Sequence, residues 1–431
     1  MFRRSPRRNP FQTYIVRPTL NWLSPWLGID WWLMTVTIAL TAIAGLAIRS
    51  AQLNVGIIDW RQHWITAIIG LIFCFLIART RYQALVFGHW IIYGLSLVSL
   101  IAVMAIGATV NGAQSWIGVG GFNVQPSEFA KISLILTLAA LLHKRTAASI
   151  PNILRATAVA FVPWLFIALQ PDLGTAMVFG AIGMGMIYWA NANLGWLVLM
   201  MSPLVSAVMF NAFFPAWVIW FGLVGAIAWF SLPWRWFGTI GTMFVNAAAG
   251  AGAGFFWSLL KDYQKARLTL FLNPEQDALG GGYHLIQSRI AIGSGQLWGQ
   301  GLYEGSQTQL NYVPEQHTDF IFSVIGEELG FIGAIAVMIL FWILCLRLIR
   351  IACKTEDNFG SLIAVGVLSM ILFQVLINVG MTLGVAPITG IPLPWLSYGR
   401  SSLLTNFIAI GLVQAVANRT SRNNNSSVTG L

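Results

Sequence analysis

The chain has 431 residues and a net charge of +10, and it is 57% hydrophobic but only 9% charged. Because soluble domains carry about a quarter charged residues, this composition excludes a soluble globular protein. The excess of basic residues is explained by the enrichment of Lys and Arg on cytoplasmic membrane loops, so it predicts no nucleic-acid partner.

Apolar runs of about 20 residues, long enough to cross a bilayer as helices, recur along the chain. The sequence therefore predicts an all-α polytopic membrane protein. Residues 1–30 form a basic cytoplasmic tail, residues 31–417 the membrane domain, and residues 418–431 a cytoplasmic tail expected to be disordered. Twelve spans are predicted, at residues 31–51, 63–79, 88–107, 127–143, 156–169, 173–191, 195–213, 216–232, 236–259, 319–345, 360–380 and 400–417.

Sidedness follows from the basic residues. Most of the 24 Lys and Arg residues fall on loops that become cytoplasmic if both termini are inside. This orientation puts the long loop 260–318 outside, and its many apolar side chains predict that it folds over the outer membrane face. Cys74, Cys345 and Cys353 show no metal-ligand spacing and are interpreted as packing residues.

Two charges enter the fourth predicted span in the stretch "QPSEFAKIS", residues 125–133. Glu128 and Lys131 are three residues apart and therefore share one face of a helix. They form either an internal ion pair that lets both side chains enter the membrane, or a cation site for an anionic headgroup. Upstream, Trp116 is either an interfacial anchor or a surface on which a sugar stacks.

Asp172, in the stretch "QPDLGTA", lies between two apolar runs. It either caps the sixth span after a Pro-Asp turn or contributes to a polar cavity.

Carboxylates cluster where the tenth predicted span begins, in "VPEQHTDFIFSVIGEELG", residues 313–330. Asp319 lies at the water–membrane boundary, where partial burial raises the pKa of a carboxyl group and makes it a better base. The alternative is that Asp319 caps the helix that follows. His317 is a second candidate for a base or for a headgroup contact.

Five motifs occur together in the order found in the SEDS family (shape, elongation, division and sporulation). They are "NGAQSWIGVGGFNVQPSEFAK", "QPDLGTA", "GYHLIQSRIAIGSGQLWGQG", "PEQHTDFIFSVIGEELG" and "NVGMTLGVAPITGIPLPWLSYGRSS". The chain resembles this family from about residue 30 to residue 417. The stretch "SQTQLNYVPEQHTDF" is more similar to the elongation branch, RodA, than to the division branch, FtsW.

The resemblance implies a SEDS fold of 10 to 12 membrane helices with a large extracytoplasmic loop, in the bacterial plasma membrane. It implies a peptidoglycan glycosyltransferase that polymerises lipid II at the outer face during cell elongation and shape maintenance. The implied partners are a class B penicillin-binding protein, which cross-links the glycan, the growing strand, and the elongation machinery. Two other functions stay open, namely a lipid II flippase and a non-catalytic scaffold for the penicillin-binding protein.

The resemblance also assigns residues. The family's essential aspartate matches Asp319, the expected general base, and its conserved glutamate and lysine match Glu128, which would orient the lysine, and Lys131. Lys131, with Arg267, Arg289 or a divalent cation such as Mg²⁺ or Mn²⁺, would offset the charge of the departing pyrophosphate. No resident metal or other certain cofactor is implied. Substrate contacts are expected from Trp116, Gln125, Asp172, Arg267, Tyr283, Gln287, Ser288, Arg289, His317 and Ser397.

The chain departs from the family pattern at three places. Ser115 stands where many members carry a basic residue, and Arg400 stands where glycine is usual. Residues 214–258 add a hydrophobic pair, since members typically have ten spans.

Overall fold

A computed structural model describes residues 28–53, 60–110, 113–119, 122–259, 262–271, 273–278, 280 and 282–428. The predicted basic tail therefore lies, up to residue 27, outside the described residues. Within the described part, twelve helices of at least 17 residues correspond one for one to the twelve predicted spans. They are α1 Trp31–Gln52, α2 Arg61–Ala78, α3 Leu85–Ile106, α4 Pro126–Leu142, α5 Ile150–Leu169, α6 Leu173–Trp189, α7 Leu194–Ala212, α8 Phe214–Ser231, α9 Arg235–Leu259, α14 Gly330–Lys354, α15 Asn358–Leu383 and α16 Arg400–Val428.

Nine of the helices in the described ranges are long and apolar enough to cross a membrane, which confirms the predicted fold class. Between α9 and α14, the chain forms four short helices and a 3₁₀ turn at Pro274–Asp277. The short helices are α10 Asp262–Thr269, α11 Tyr283–Ser294, α12 Ser306–Gln309 and α13 Ile321–Glu328.

The three most buried of the long helices are α4, α15 and α16, and they form the centre of the bundle. In α4, 15 of the 17 residues are buried, including both members of its charged pair. Helices that are apolar on all sides must be covered on all sides by protein or by lipid. These three are covered by protein, so they supply a rigid frame for the side chains they carry.

Asp30 joins three helices at one end of the bundle. At one end, Asp30 caps α1 by accepting from Leu33 N at 3.0 Å, and Arg347 Nε donates to its Oδ2 at 3.1 Å. Gln414 of α16 also pairs with the backbone of Asp30. The start of α1 and the second half of α16 therefore lie at the same end, as the alternation of predicted spans requires.

A three-stranded antiparallel sheet precedes α4, where the sequence predicts an interfacial loop. Its strands are β1 Ala108–Val110, β2 Ala113–Val119 and β3 Phe122–Val124, and Ile117 pairs with Val124. Asn-Gly and Gly-Gly dipeptides separate the strands in the sequence, a pattern typical of two-residue hairpins. The sheet leads the chain directly into the charged start of α4.

The predicted tenth span, 319–345, is wrong as a single helix. It is divided into α13 and α14 at Gly330, whose φ of +66° favours glycine. A Cβ at this position would lie 2.2 Å from the backbone nitrogen of Gly299, so a side chain is excluded there. The break allows α13 to turn away from α14 and to join the part of the chain between α9 and α13, which we call the outer segment.

The extra hydrophobic pair forms α8 and α9, which pack mainly on α7. Asn246 Nδ2 donates to Ser202 Oγ at 2.9 Å, and Trp217 Nε1 donates to Ser206 Oγ at 2.6 Å. Ser206 in turn donates to the backbone oxygen of Asn246 at 3.0 Å. Hydrogen bonds of this kind hold helices together inside a bilayer, where apolar surface alone gives little drive for association. A cavity of about 320 Å³, lined mostly by apolar side chains, lies beside this cluster.

The last helix continues to Val428, into the tail that the sequence predicts to be disordered from residue 418. Its extension is supported by packing against the neighbouring end of α2, because Asn418 Nδ2 donates to Ala78 O at 3.3 Å. Thr420 also hydrogen-bonds within α16 to Val416 O at 3.0 Å.

A buried carboxylate fastens the outer segment. Glu327 is fully buried and accepts from the backbone nitrogens of Gln307 and Thr308 at 2.7 and 3.0 Å. It also accepts from the hydroxyl of Thr308 at 2.6 Å. These donors lie in α12, so Glu327 ties α12 to α13 and holds the chain that leads to Asp319.

Replacing Glu327 with alanine should therefore loosen this segment. Buried donors left without an acceptor cost about 1–3 kcal/mol each. We expect residues 303–309 to exchange amide hydrogen at least about tenfold faster. Glu304→Ala, at an exposed glutamate of the same segment, is the control and should leave exchange unchanged. Equal rates of amide hydrogen exchange in the two variants would contradict the role of Glu327 in tying α12 to α13.

Candidate active site

Asp319 lies immediately before α13, and its carboxylate does not cap that helix. The N-cap residue is Phe320, and no side-chain hydrogen bond caps the helix start. The cap interpretation of Asp319 is therefore wrong, whereas the cap interpretation of Asp172 is correct, since its Oδ1 accepts from Thr175 N at 3.0 Å. Asp319 is half-buried, so its carboxylate, which caps no helix, can be reached by a substrate.

Gly390 lies beside both the carboxylate of Asp319 and the guanidinium of Arg267. A Cβ at Gly390 would lie 3.4 Å from Asp319 Oδ2 and 3.8 Å from Arg267 Nη1. The φ of Gly390 is +73°, so the backbone conformation also favours glycine. A carboxylate and a guanidinium therefore both lie close to a position that carries no side chain.

The surroundings of Asp319 change its acidity. Burial, together with the negative charges of Glu315 and Asp172, raises the pKa of the Asp319 carboxyl to about 6 against the opposing charge of Arg267. Burial also raises the pKa of Asp172. A carboxylate with a pKa near 6 is a stronger base than an ordinary aspartate and is still largely ionised at neutral pH.

Glu128 and Lys131 form the predicted ion pair at the start of α4. Lys131 Nζ donates to Glu128 Oε1 at 2.8 Å, and both side chains are almost fully buried. The second carboxylate oxygen of Glu128 has no hydrogen-bond partner among the described residues. The structure thus shows the internal ion pair, whereas the headgroup site stays a prediction, because a free carboxylate oxygen is an acceptor and does not itself bind an anion.

Gln125 connects the start of α4 to the starts of α6 and α16. Its Nε2 lies 3.4 Å from Asp172 Oδ2, and its backbone nitrogen donates to Ser401 Oγ at 3.0 Å. The charge of Lys131 lowers the pKa of Asp172 and that of Glu128 raises it, so the three groups are electrostatically coupled. The starts of α4, α6 and α16 therefore meet at one polar site.

Two of the residues expected to contact substrate instead form hydrogen bonds inside the protein. Ser288 is fully buried, and its hydroxyl lies 2.6 Å from Ser323 Oγ and donates to Thr382 O at 2.8 Å. Ser397 is buried and accepts from Leu393 N at 2.7 Å. The first hydroxyl joins α11, α13 and α15, and the second closes a turn, so neither presents a surface to a headgroup in this structure.

The other expected contacts lie on the surface of the outer segment or at its edge. Arg289 is exposed, and its Nε donates to Leu383 O at 3.3 Å, at the carboxyl end of α15. Tyr283 and Gln287 are half-buried on α11, and Trp116 is half-buried on β2. His317 is half-buried, and burial lowers the pKa of its imidazole, which favours the neutral form.

The sequence interpretation missed His284 and Gly390. The His284 ring stacks on Phe320, the neighbour of Asp319, with 6.0 Å between ring centroids. Burial and the charge of Arg267 lower the pKa of His284. A histidine beside Tyr283 in "GYHLIQ" was the available signal, whereas nothing in the local pattern indicates which glycine borders a carboxylate.

The donor set does not form a metal cluster. Across the described ranges, no group of three or more His, Cys, Asp or Glu side chains is placed to hold a metal ion. Lys131 and Arg267 are instead the cations that the site itself contributes.

A family comparison identifies the chain. The model of the FtsW, RodA and SpoVE family, described as cell cycle proteins, matches residues 26–219 and 196–422. The chain belongs to this family. The family expected from the five motifs is therefore confirmed, and the residues discussed above lie within the matched ranges.

Named relatives of this family are similar over most of their length. The chain is 35% identical to the peptidoglycan glycosyltransferase RodA of Treponema pallidum over 424 residues, covering 90% of this chain and 97% of the relative. It is 33% identical to the peptidoglycan glycosyltransferase MrdB of Escherichia coli over 392 residues, covering 90% of this chain and 93% of the relative. The chain is thus a near full-length relative of these bacterial membrane proteins.

Solved structures of family members share the fold. A chain from a peptidoglycan synthase complex, described as coordinating polymerization and crosslinking, superposes with a TM-score of 0.68 at 27% identity, over 92% of this chain and 99% of that one. The rod shape determining protein RodA of Thermus thermophilus superposes with a TM-score of 0.59 at 25% identity, over 91% and 97%. The SEDS fold is therefore shown over nearly the whole chain, and the protein is a multi-pass protein of the bacterial inner membrane.

Proposed function

We propose that this family member is a peptidoglycan glycosyltransferase that polymerises lipid II at the outer membrane face, with Asp319 as the general base. One observation carries the assignment of the base: the half-buried Asp319 carboxylate, with its raised pKa, and the Arg267 guanidinium both approach the space that Gly390 leaves open. The relatives named as peptidoglycan glycosyltransferases support the reaction class.

The chemistry requires one base and a stabilised leaving group. Asp319 takes the proton of the sugar 4-hydroxyl, whose oxygen attacks the anomeric carbon of a second sugar with inversion. The bond from that carbon to the pyrophosphate breaks, and the lipid pyrophosphate departs with the electron pair. An alcohol is a poor nucleophile at neutral pH, so removal of its proton is the step that a protein carboxylate best accelerates.

Cations near the leaving group lower the barrier because negative charge develops there. Arg267 is half-buried beside Asp319, so we assign it the direct contact to pyrophosphate. Lys131 acts with it from the start of α4, where Glu128 fixes the position of its ammonium group. A divalent cation, such as Mg²⁺ or Mn²⁺, would be carried by the pyrophosphate rather than by a resident cluster of protein ligands.

The expected partner is a class B penicillin-binding protein that cross-links the new strand during cell elongation. The structural similarity to a member of a peptidoglycan synthase complex supports a partner of this kind.

A polymerisation assay with purified protein and lipid II, with and without the partner, tests the proposal. Glycan polymer formed by the wild-type protein is the expected result. Lipid II crossing vesicle membranes with no polymer would instead assign a flippase, and polymer formed only by the partner would assign a scaffold.

The acidity of Asp319 predicts the pH dependence of this reaction. A base must be ionised, and the raised pKa of Asp319 means that protonation begins at a higher pH than for an ordinary aspartate. We therefore expect the rate to fall as the pH is lowered through about 6, approaching a tenfold loss per pH unit below it. The pH profile of polymerisation under saturating lipid II measures this limb. A rate that stays level down to about pH 4.5 would contradict a base in this environment.

A further inference from the structure

Asn378, near the carboxyl end of α15, holds two segments of the site at once. Its side chain is fully buried, and its Nδ2 donates to the backbone oxygen of Asp319 at 2.9 Å and to that of Ile391 at 2.8 Å. The two N–H bonds of one amide group are thereby both used. The partners lie 59 residues before and 13 residues after Asn378 in the chain, so this contact joins distant segments.

Each of the two segments carries a part of the site. The first, which we call the base segment, ends at Asp319 and continues directly into α13. The second contains Thr389 and Gly390, and a Cβ at Gly174 would lie only 2.4 Å from Thr389 O, so this segment is packed against the start of α6 beside Asp172. The distance between the two segments therefore sets how far the Asp319 carboxylate lies from Gly390, which Arg267 also approaches, and from Asp172.

Asn378 is well suited to fix that distance. It projects from the most rigid part of the fold, since α15 is buried along most of its length. Backbone carbonyl oxygens buried away from water need donors, and losing one is unfavourable. A neutral amide satisfies both oxygens without adding a charge next to the Asp319 carboxylate, whose acidity depends on its neighbours Glu315, Asp172 and Arg267.

We propose that Asn378 is a positioning residue for glycosyl transfer. It holds the base segment and the Thr389–Ile391 segment at a fixed distance from each other. This inference rests on the proposed function of Asp319. Asn378 does not contact substrate in this scheme but acts through the placement of the carboxylate. Displacements of about 1 Å in a catalytic site reduce rates about a hundredfold, which gives the expected size of the effect.

The variant Asn378→Leu, which keeps the branched shape but removes both donors, tests the role. We expect the kcat for lipid II polymerisation to fall about a hundredfold and KM to change by less than about threefold. The acid limb of the pH profile should also move to lower pH, because a base segment that is no longer held leaves the carboxylate more hydrated. Asn406→Leu is the control, since Asn406 is equally buried on α16 and its Nδ2 contacts Ser402 at only 3.5 Å.

A purely structural role predicts a different outcome. In that case, Asn378→Leu would lower the yield of folded protein, while kcat per folded molecule and the pH profile would match those of the wild type, and the inference would be overturned. If this variant does not fold, Asn378→Ala, which removes both donors and adds neither bulk nor charge, decides by the same criteria. Failure of the wild type to polymerise lipid II would overturn the proposed function itself, and polymerisation by both the wild type and the Asn378 variants at equal rates would overturn only the positioning role.

Discussion

Asp319→Asn should abolish lipid II polymerisation and leave the protein folded and able to bind its partner. The amide has nearly the same shape as the carboxylate but cannot accept the hydroxyl proton. General base catalysis contributes about 10²–10⁴ to a rate, so a loss of that size is expected in kcat. The variant should be at least as stable as the wild type, because a carboxylate whose pKa is raised by burial is costly to ionise at neutral pH.

The control for this variant is Asp277→Asn, which makes the same chemical change at an exposed position of the 3₁₀ turn in the outer segment. It should retain the wild-type rate. Initial rates of polymer formation, measured beside thermal unfolding of each variant, separate a lost base from a lost fold. Normal polymerisation by folded Asp319→Asn would refute the assignment of the base.

The Glu128–Lys131 pair should show a stability effect that can be repaired and a catalytic effect that cannot. Lys131→Met leaves the buried carboxylate without its cation, and breaking a buried pair in this way costs about 3–5 kcal/mol. The double variant Glu128→Gln/Lys131→Met removes both charges, so most of the lost stability should return. Polymerisation should stay at least about a hundredfold below that of the wild type, because the ammonium group that opposes the developing pyrophosphate charge is absent.

Thermal unfolding and polymerisation rates of the two single variants and the double variant complete this cycle. Thr137→Val is a matched control on α4, because it removes a buried hydroxyl away from the charged pair, which donates to Ser133 O at 2.8 Å and, more weakly, to His89 O at 3.5 Å. It should keep its rate. A double variant that is both stable and fully active would show that the pair serves only the fold.

Local patterns in the sequence were sufficient to predict the helices and their order. Apolar runs separated by Pro, Gly and charged residues correspond one for one to the twelve long helices. The spacing of Glu128 and Lys131 predicted their contact, and the Pro-Asp turn predicted the cap at Asp172. These features depend on neighbours within about one helical turn, and such neighbours can be identified directly in the sequence.

The features that the sequence did not predict depend on contacts between distant segments. The approach of Arg267, Asp319 and Gly390 is set by tertiary packing, because no periodicity relates residues so far apart in the chain. The break at Gly330 follows from the backbone of Gly299, which lies against it only in the folded protein. The buried hydroxyl of Ser288 was likewise assigned to substrate because burial of a single face of a short helix is not evident from its sequence.

Helices α8 and α9, which the sequence predicts to be an addition to the family pattern, are two consecutive long helices, and two crossings return the chain to the side from which it left. A single additional crossing would reverse every later segment and place Asp319 in the cytosol, away from sugars presented at the outer face. Hydrophobic insertions at this point of the chain can therefore be gained or lost in evolution only in even numbers. Engineered deletions should follow the same rule: a chain lacking both helices keeps its catalytic face, whereas a chain lacking one does not.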